Sequence, residues 1–429
     1  MKTVVGNFFV CSCFLLNMFF KQAYALTLSY EASVGVEWSD NITRVEENSI
    51  QQITTVYDLS GTLTHQARKY SFNLRPNIIY RDYQGEQFAD QTFTTFDGTL
   101  LYRIRPGTFD WSFENFLTQT LVDQQAVPTP FGLQDTNVFL TGPDMNVNIG
   151  NGKSLMVAIR YGNFYYSETD TDNDRAGMRI RFNNNTNPVE HHAISFDAAS
   201  IRYENTLDNE NYKRDDLYYI YNRRGIRAST ELQIGFTRIS PQKQADFQDL
   251  MGLLRLRYEI NRHNDVLFEL HSWYTDTSRN FLTSRAYNEG VRRFSSAISG
   301  YVFREDFSYL RYSWDRDNSR LDFEISGGHH DYMGRDDYLD RKLGAIFMGL
   351  TRDLSRRLAV ILRGRFTRAN YYSQQVINID KYLTLGFRYR IGRNLNLNLN
   401  YSNNSRNIEN EDGGYEENLV YLNLAYIRR

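Results

Sequence analysis

The strongest constraint on the fold is a strict alternation of apolar and polar residues that recurs along the chain. In the first such segment, apolar residues occupy every second position from Leu28 to Trp38, with small or polar residues between them. The pattern returns at 70–80 and again at 395–401. Successive side chains of a strand point to opposite faces, so each segment predicts a strand with one apolar and one polar face.

The connections between these segments are alternately long and short. Long polar stretches run at about 39–50, 118–136 and 277–305, whereas Pro106–Gly107 and Gly392–Asn394 mark tight turns. A barrel whose termini both lie in the periplasm has long outer loops and short inner turns. We therefore predict an all-β fold: a single transmembrane up-and-down antiparallel β-barrel of about 20 strands (roughly 18–22), each of about 9–11 residues, with periplasmic termini and long extracellular loops.

A soluble β-sandwich is the alternative for a chain with many alternating strands. Sandwich strands recur every 8–12 residues or so, and the spacing here is about 20. The barrel is the better prediction.

The N-terminus predicts export. Lys2 is followed by an apolar run from Val4 to Phe20, and Ala23-Tyr24-Ala25 places small residues three apart. This is typical of a secretory signal peptide over residues 1–25, which leaves the barrel at 26–429. Both cysteines, Cys11 and Cys13, lie in this segment, so no disulfide is expected in the mature chain. The predicted location is the outer membrane of a Gram-negative bacterium.

The amino-acid composition limits the kinds of molecule that the chain is expected to bind. The chain has 49 basic and 51 acidic residues, and this near balance argues against binding of nucleic acid. Its 31 Tyr and 28 Phe against 4 Trp suit rings at a lipid–water boundary. The alternating final segment from Val420 to Tyr426 is typical of strands recognised by the barrel assembly machinery. We expect that machinery, outer-membrane lipid and lipopolysaccharide as partners.

Charged residues on the polar phase of the predicted strands are the candidate lining of the lumen. They are Arg75, Arg103, Arg105, Arg160, Arg179, Arg181, Arg255, Arg257, Arg363, Arg365, Glu231, Glu259, Glu269, Asp322 and Glu324. Two interpretations remain open. The favoured one is a network of salt bridges that braces the wall, since guanidinium groups bind carboxylates with two hydrogen bonds. The other is a polar track for a sugar chain.

Enzymatic and metal-binding sites are not expected, and no cofactor is predicted. Ser326, His330 and Asp331 resemble a hydrolase set only if the strand runs straight through the two glycines between them. The acidic cluster Asp170–Asp174 suggests calcium, but the loop signature fails because Arg175 and Arg181 stand where Gly and Glu are required.

Local irregularities carry further expectations. Phe196 and Ile201 fall out of phase, which predicts a β-bulge near Ala198 and Ala199. The stretches Thr118–Thr136 and Thr277–Glu305 are long enough to fold inward and narrow a pore.

Three short motifs carry a family resemblance: Gly35–Asn41, Trp111–Asn115 and Asn137–Asp144. Through them the sequence resembles the outer-membrane barrel proteins associated with exopolysaccharide and PEP-CTERM (exosortase) gene clusters. The resemblance implies a role in exporting a polysaccharide or assembling it at the surface, with a periplasmic or outer-membrane export protein as partner. It supplies no catalytic residues.

The leading functional hypothesis is thus a channel for exopolysaccharide. The alternatives are a porin for small hydrophilic solutes and a non-conducting surface scaffold or receptor. No plug domain precedes the first predicted strand, so a TonB-dependent transporter is not expected.

Overall fold

A computed structural model describes residues 26–428 except 86, 124–125, 128, 130–131, 186, 206–209, 277–301, 334–338 and 411–412. The predicted signal peptide at 1–25 lies outside the described residues.

The described residues form 20 strands in one sheet. They are β1 (Leu26–Ser39), β2 (Gln52–Gln66), β3 (Tyr70–Tyr83), β4 (Gln91–Arg105), β5 (Phe109–Leu121), β6 (Leu133–Gly150), β7 (Lys153–Tyr166), β8 (Asn173–Asn184), β9 (Glu190–Tyr203), β10 (Tyr212–Arg224), β11 (Ala228–Pro241), β12 (Phe247–Asn261), β13 (Asn264–Asp276), β14 (Val302–Arg316), β15 (Ser319–Tyr332), β16 (Arg341–Asp353), β17 (Leu358–Tyr371), β18 (Val376–Arg390), β19 (Leu395–Glu409) and β20 (Tyr415–Arg428).

The sheet closes on itself. Each strand pairs antiparallel with its neighbours in sequence, and β1 also pairs with β20, from Tyr30 opposite Arg428 to Ser39 opposite Leu419. Closure pairs the backbone without an edge strand along the membrane-facing wall. The predicted closed antiparallel barrel of about 20 strands is confirmed.

Alternation separates the two faces of the wall. On β11, Ile234 and Phe236 are 54% and 65% exposed, whereas the alternate residues Gly235 and Thr237 are buried. The same split holds on β1, where Val34 and Val36 are exposed and Gly35 and Glu37 are buried. The exposed apolar phase is therefore the outer face of the barrel, and the opposite phase is the inner face.

The two ends of the barrel differ in their connections. At the end that we call the turn end, strands are joined by short segments such as 151–152 and 317–318, and the first and last described residues lie there. At the opposite end, the loop end, the connections include 40–51 and 167–172. The segment 185–189 is a turn-end connection that joins β8 and β9 without a change of order.

The strands are longer than predicted. They contain 12 to 18 residues, because ladder pairing continues past the apolar band into polar sequence. The largely polar stretch 369–379 is mostly strand, with a four-residue connection at 372–375. The polar sequence at the ends of the strands resembles loop sequence, but polarity does not prevent the backbone from pairing.

The predicted bulge in β9 is wrong. Strand β9 pairs with β8 and with β10 in uninterrupted register through Ala198 and Ala199. Phe196 lies on the outer face, and Ile201 is buried on the inner face in an apolar cluster with Tyr203, Tyr212, Ile239 and Tyr274. The inner wall contains apolar packing, so an apolar residue on that phase needs no register shift.

None of the described residues forms a helix long and apolar enough to cross a membrane.

Candidate functional site: the inner wall of the barrel

Fourteen of the fifteen charged residues predicted to line the lumen lie on the inner phase of their strands. Arg75, for example, stands opposite Asp97 of β4, and Arg363 stands opposite Thr384 of β18. Arg105 follows a register shift in β4 that places it opposite Phe109, an outer-phase residue of β5. The surroundings of the predicted residues differ sharply around the barrel, and two regions of the inner wall show the contrast.

The first region, the braced sector, is the inner face of β6 to β15. Here arginine side chains bind carboxylates on their own or neighbouring strands. Arg160 donates two hydrogen bonds to Asp144 at 2.7 and 2.9 Å, and Arg179 lies 2.6 Å from Asp197. Planar guanidinium groups hold carboxylates in fixed geometry, so these pairs tie adjacent strands together through their side chains.

Arg255 is the most heavily engaged arginine among the predicted residues. From β12 it reaches Glu231 of β11 at 2.6 Å and Glu269 of β13 at 2.9 Å, so three strands share one cation. The network continues on the same wall from Arg257 to Asp265 at 3.5 Å and from Arg311 to Asp265 at 3.8 Å.

At the loop end, the wall of this sector bends inward. Pairing between β12 and β13 stops at Gly252 and Ser272, whereas β13 stays paired with β14 up to Asp276 opposite Val302. We call Trp273–Asp276 and Val302–Asp306 the ribbon. Its outer-phase residues face the inner wall of β8 to β12, so it lies across the interior.

Asp276 anchors this ribbon. Its carboxylate accepts two hydrogen bonds of 3.0 Å from Arg175 of β8 and a further one from the hydroxyl of Tyr212 of β10.

Two further contacts hold the ribbon. Arg214 of β10 donates to the carbonyl oxygen of Tyr274, and Arg304 pairs with Asp249 of β12. The contacts of β13 with β8 and β10 join strands that are not neighbours in the sheet, so they cross part of the lumen.

A buried ionic cluster lies at the base of the ribbon. His271, whose side chain is fully buried, lies 3.2 Å from both Glu269 and Glu305, and His330 lies 3.4 Å from Glu305. Arg341 of β16 donates to His330 at 3.4 Å. In the described part of the chain, no three His, Cys, Asp or Glu side chains are arranged to hold a metal ion.

The second region, the open sector, is the turn-end half of the inner face of β17 to β20 and β1. Arg388 stands opposite Asn398, and Asn398 stands opposite Asn423, whose side-chain oxygen accepts a hydrogen bond from it at 2.9 Å. Thr384 and Ser402 form a similar pair at 3.0 Å. Amides and hydroxyls here take the place that carboxylates hold in the braced sector.

A cavity of about 980 Å³ lies against the open sector. It is lined by Glu31, Ile361, Arg363, Thr384, Phe387, Arg388, Arg390, Arg393, Asn394, Asn396, Asn398, Asn400, Asn423, Ile427 and Arg428. Asn400 lies over Gly386, where an added Cβ would come within 2.6 Å of its side-chain oxygen. The missing side chain at Gly386 therefore lets the amide fold down against the wall.

The remaining predicted lining residues have varied surroundings. Arg103 donates to the carbonyl oxygen of Ala67 and to Ser71, and Arg181 reaches the hydroxyl of Tyr218 at 3.5 Å. Glu324 is 1% exposed. Asp322 pairs with Arg320 at 2.9 Å.

Sequence reasoning missed the residues that hold the ribbon. Asp276 and Tyr274 lie on the outer phase of β13, so periodicity assigns them to the membrane-facing side. It also missed the asparagines at 396, 398 and 400 as a group, although their regular spacing on one polar face was visible.

The other candidate sites take structural roles. Ser326 and His330 share the inner face of a straight β15, but they are four positions apart, about 13 Å along the strand, which is too far for a hydrogen bond. In the acidic cluster, Asp172 accepts the Tyr166 amide and Asp174 accepts from the Tyr161 hydroxyl, each at 2.7 Å. Burial raises the pKa of Asp172, with the neighbouring Glu204 and Asp170 adding to the effect.

Of the long stretches predicted to narrow the pore, 277–301 lies outside the described residues, whereas Val302–Glu305 belongs to β14 and to the ribbon. In the other stretch, the connection between β5 and β6 is only 122–132, and its Pro128, Pro130 and Phe131 are outside the described residues.

Comparison with known proteins identifies the fold. The structure is similar to the ferric enterobactin receptor PfeA, with a TM-score of 0.51 and 10% identity over 95% of this chain and 82% of that one. PfeA comes from Pseudomonas aeruginosa. Also similar are the FrpB iron transporter of Neisseria meningitidis (TM-score 0.48, 7% identity, 93% and 81% coverage) and OccK2 of P. aeruginosa, solved with glucuronate (TM-score 0.43, 12% identity, 94% and 97% coverage). No family model and no curated protein matches the sequence. The chain thus has the fold of bacterial outer-membrane barrels.

Proposed function

We propose that this protein is a passive channel in the outer membrane of a Gram-negative bacterium that conducts hydrophilic, hydroxyl-rich solutes. The observation that carries the proposal is the cavity of about 980 Å³ on a polar inner wall, enclosed by a barrel whose outer face is apolar. Barrels of 16 to 18 strands already leave an aqueous lumen, and this one has 20. No enzymatic step is needed for this function.

Planar-bilayer recording of the purified chain tests the proposal. We expect steady currents at low voltage that decrease in steps when an oligosaccharide enters the lumen. A chain that inserts and folds but carries no current would contradict the channel and favour the surface scaffold.

The more specific form of the proposal is export of an exopolysaccharide, with the turn end in the periplasm. It is supported by the motif resemblance and by the position of the polar cavity at the turn end, where a chain arriving from the periplasm would enter. Deleting the gene should lower the amount of surface and secreted polysaccharide. An unchanged amount would argue against export while leaving the channel itself intact.

A porin for small solutes is the second candidate, and the ribbon is the observation that favours it. By crossing the lumen from β13 to β8, the ribbon reduces the exit available to a long chain. A porin predicts currents that neutral oligosaccharides hardly affect, whereas a sugar conduit predicts block.

The orientation has its own test. A reporter tag inserted at Glu47, in the exposed loop-end segment 40–51, should be accessible on intact cells, and one at Asn151 should not. The reverse labelling would invert the topology.

A further inference from the structure

The cavity of the open sector has a charge that nothing in the proposed function explains. Five arginines line it against one carboxylate, Glu31. Arg363, Arg388 and Arg390 are on the inner phase, Arg393 is in the turn between β18 and β19, and Arg428 is at the end of β20 on the outer phase. Cations concentrated in a concave polar wall attract anions and raise their local concentration.

These arginines differ from those of the braced sector in their partners. Within the described residues, no ion pair involves Arg363, Arg388, Arg393 or Arg428, and the side chain of Arg390 donates only to the carbonyl oxygen of Arg356, at 3.4 Å. A guanidinium group whose hydrogen-bond donors face a cavity is suited to bind a carboxylate there with two parallel bonds.

The asparagines of the cavity are suited to bind hydroxyl groups. Each amide both donates and accepts hydrogen bonds, as a sugar hydroxyl does. Asn396, Asn398 and Asn400 succeed one another on the inner face of β19, and Arg390 and Arg388 stand beside the first two on β18. Carboxylate-binding and hydroxyl-binding groups therefore alternate across adjacent strands.

We propose that this cavity binds acidic saccharides, that is, hydroxyl-rich solutes or chains that carry carboxylates on their sugar rings. The proposal rests on the proposed channel function and specifies its substrate class. Its volume is at the upper end of the range of about 300–1,000 Å³ found for ligand pockets, which accommodates more than one sugar ring. The cavity lies at the turn end, which the proposed topology places in the periplasm. An acidic saccharide would therefore bind at the periplasmic opening of the channel.

The test is a bilayer recording of the full chain with two probes of equal length, tetragalacturonate and the neutral maltotetraose. We expect a reversal potential in a KCl gradient that shows preference for anions. Half-block by tetragalacturonate should need a concentration lower than that for maltotetraose by about tenfold, the factor expected from one charge-assisted hydrogen bond.

Two variants with the same change in net charge locate the effect. Arg363→Gln combined with Arg388→Gln should abolish the preference for tetragalacturonate. The control, Arg224→Gln combined with Arg320→Gln, removes two cations from the turn ends of β10 and β15 and should retain it. Asn398→Asp is a further variant that leaves every arginine in place, and it should weaken both the preference and the anion selectivity.

The outcomes are distinguishable. Absence of current from the folded wild-type chain defeats the proposed channel. Current with equal block by both probes, or block by acetate as strong as by tetragalacturonate, overturns the acidic-saccharide site but not the channel. Equal loss of the preference in the two double variants also overturns it, because the effect would then come from net charge alone.

Discussion

Arginine lines both the braced sector and the open sector, but it meets different partners in each. In the braced sector, neighbouring strands supply carboxylates, as Glu231 and Glu269 do for Arg255. In the open sector the facing strand supplies asparagine, as Asn398 does for Arg388. The same side chain thus holds strands together in one half of the wall and is left available for a ligand in the other.

The largest expected effect is on the braced sector, through Asp276→Asn. The Asp276 side chain is 3% exposed and neutralises Arg175, so the variant leaves a buried cation without its counter-ion. We expect a loss of about 3–5 kcal/mol in the free energy of unfolding, measured by urea titration in liposomes. Asp322→Asn is the control, since its partner Arg320 is 63% exposed, and it should cost less than about 1 kcal/mol. Equal losses would remove the distinction between buried and exposed pairs.

The second prediction concerns the ribbon as an obstruction. Combining Asp276→Asn with Arg304→Gln removes the contacts to Arg175 of β8 and Asp249 of β12. The ribbon would then keep the hydrogen bond from Arg214 to the Tyr274 carbonyl but lose both ion pairs, so it should be held less firmly and single-channel conductance should rise, whereas Asp322→Asn should leave the conductance unchanged. A conductance that stays at the wild-type value would show that the ribbon does not limit flow.

A smaller effect should separate the two carboxylates on Arg255. Glu269 is 6% exposed and also contacts His271, whereas Glu231 is 27% exposed. Glu269→Gln should destabilise the barrel by about 1.5–3 kcal/mol, the value of a hydrogen bond to a charged group, and Glu231→Gln by about 1 kcal/mol or less. Thermal unfolding followed by gel mobility ranks them, and the opposite order would contradict the importance of burial.

The smallest effect on stability should come from the open sector. Asn398→Ala removes one neutral hydrogen bond, to Asn423, and is expected to cost about 0.5–1.5 kcal/mol in the same urea assay. A loss as large as that of Asp276→Asn would mean that the open sector is structural after all.

Periodicity was sufficient for the barrel and for the inner phase of Arg160 or Arg363, because a two-residue period fixes the face of any side chain on a regular strand. It could not tell which of these arginines has a carboxylate neighbour. That depends on register, which places Asp144 beside Arg160 but Thr384 beside Arg363.

Asp276 and Ile201 show where the period fails. Asp276 has the outer phase, yet it is buried inside because β13 leaves its neighbour and turns inward. Ile201 has the inner phase and is apolar because the ribbon packs against it. Both follow from contacts between strands far apart in sequence, which local pattern does not encode.

The separation of β12 from β13 also has a consequence for backbone dynamics. Phe247–Met251 is paired only with β11, and Trp273–Asp276 only with β14. A closed barrel ordinarily has no sheet edges, whereas here two short edges are present at the loop end. The amide hydrogens along these two edges should exchange with solvent through local fraying. The amide hydrogens at the turn end of the same strands should exchange much later, because they are exposed only when the barrel unfolds.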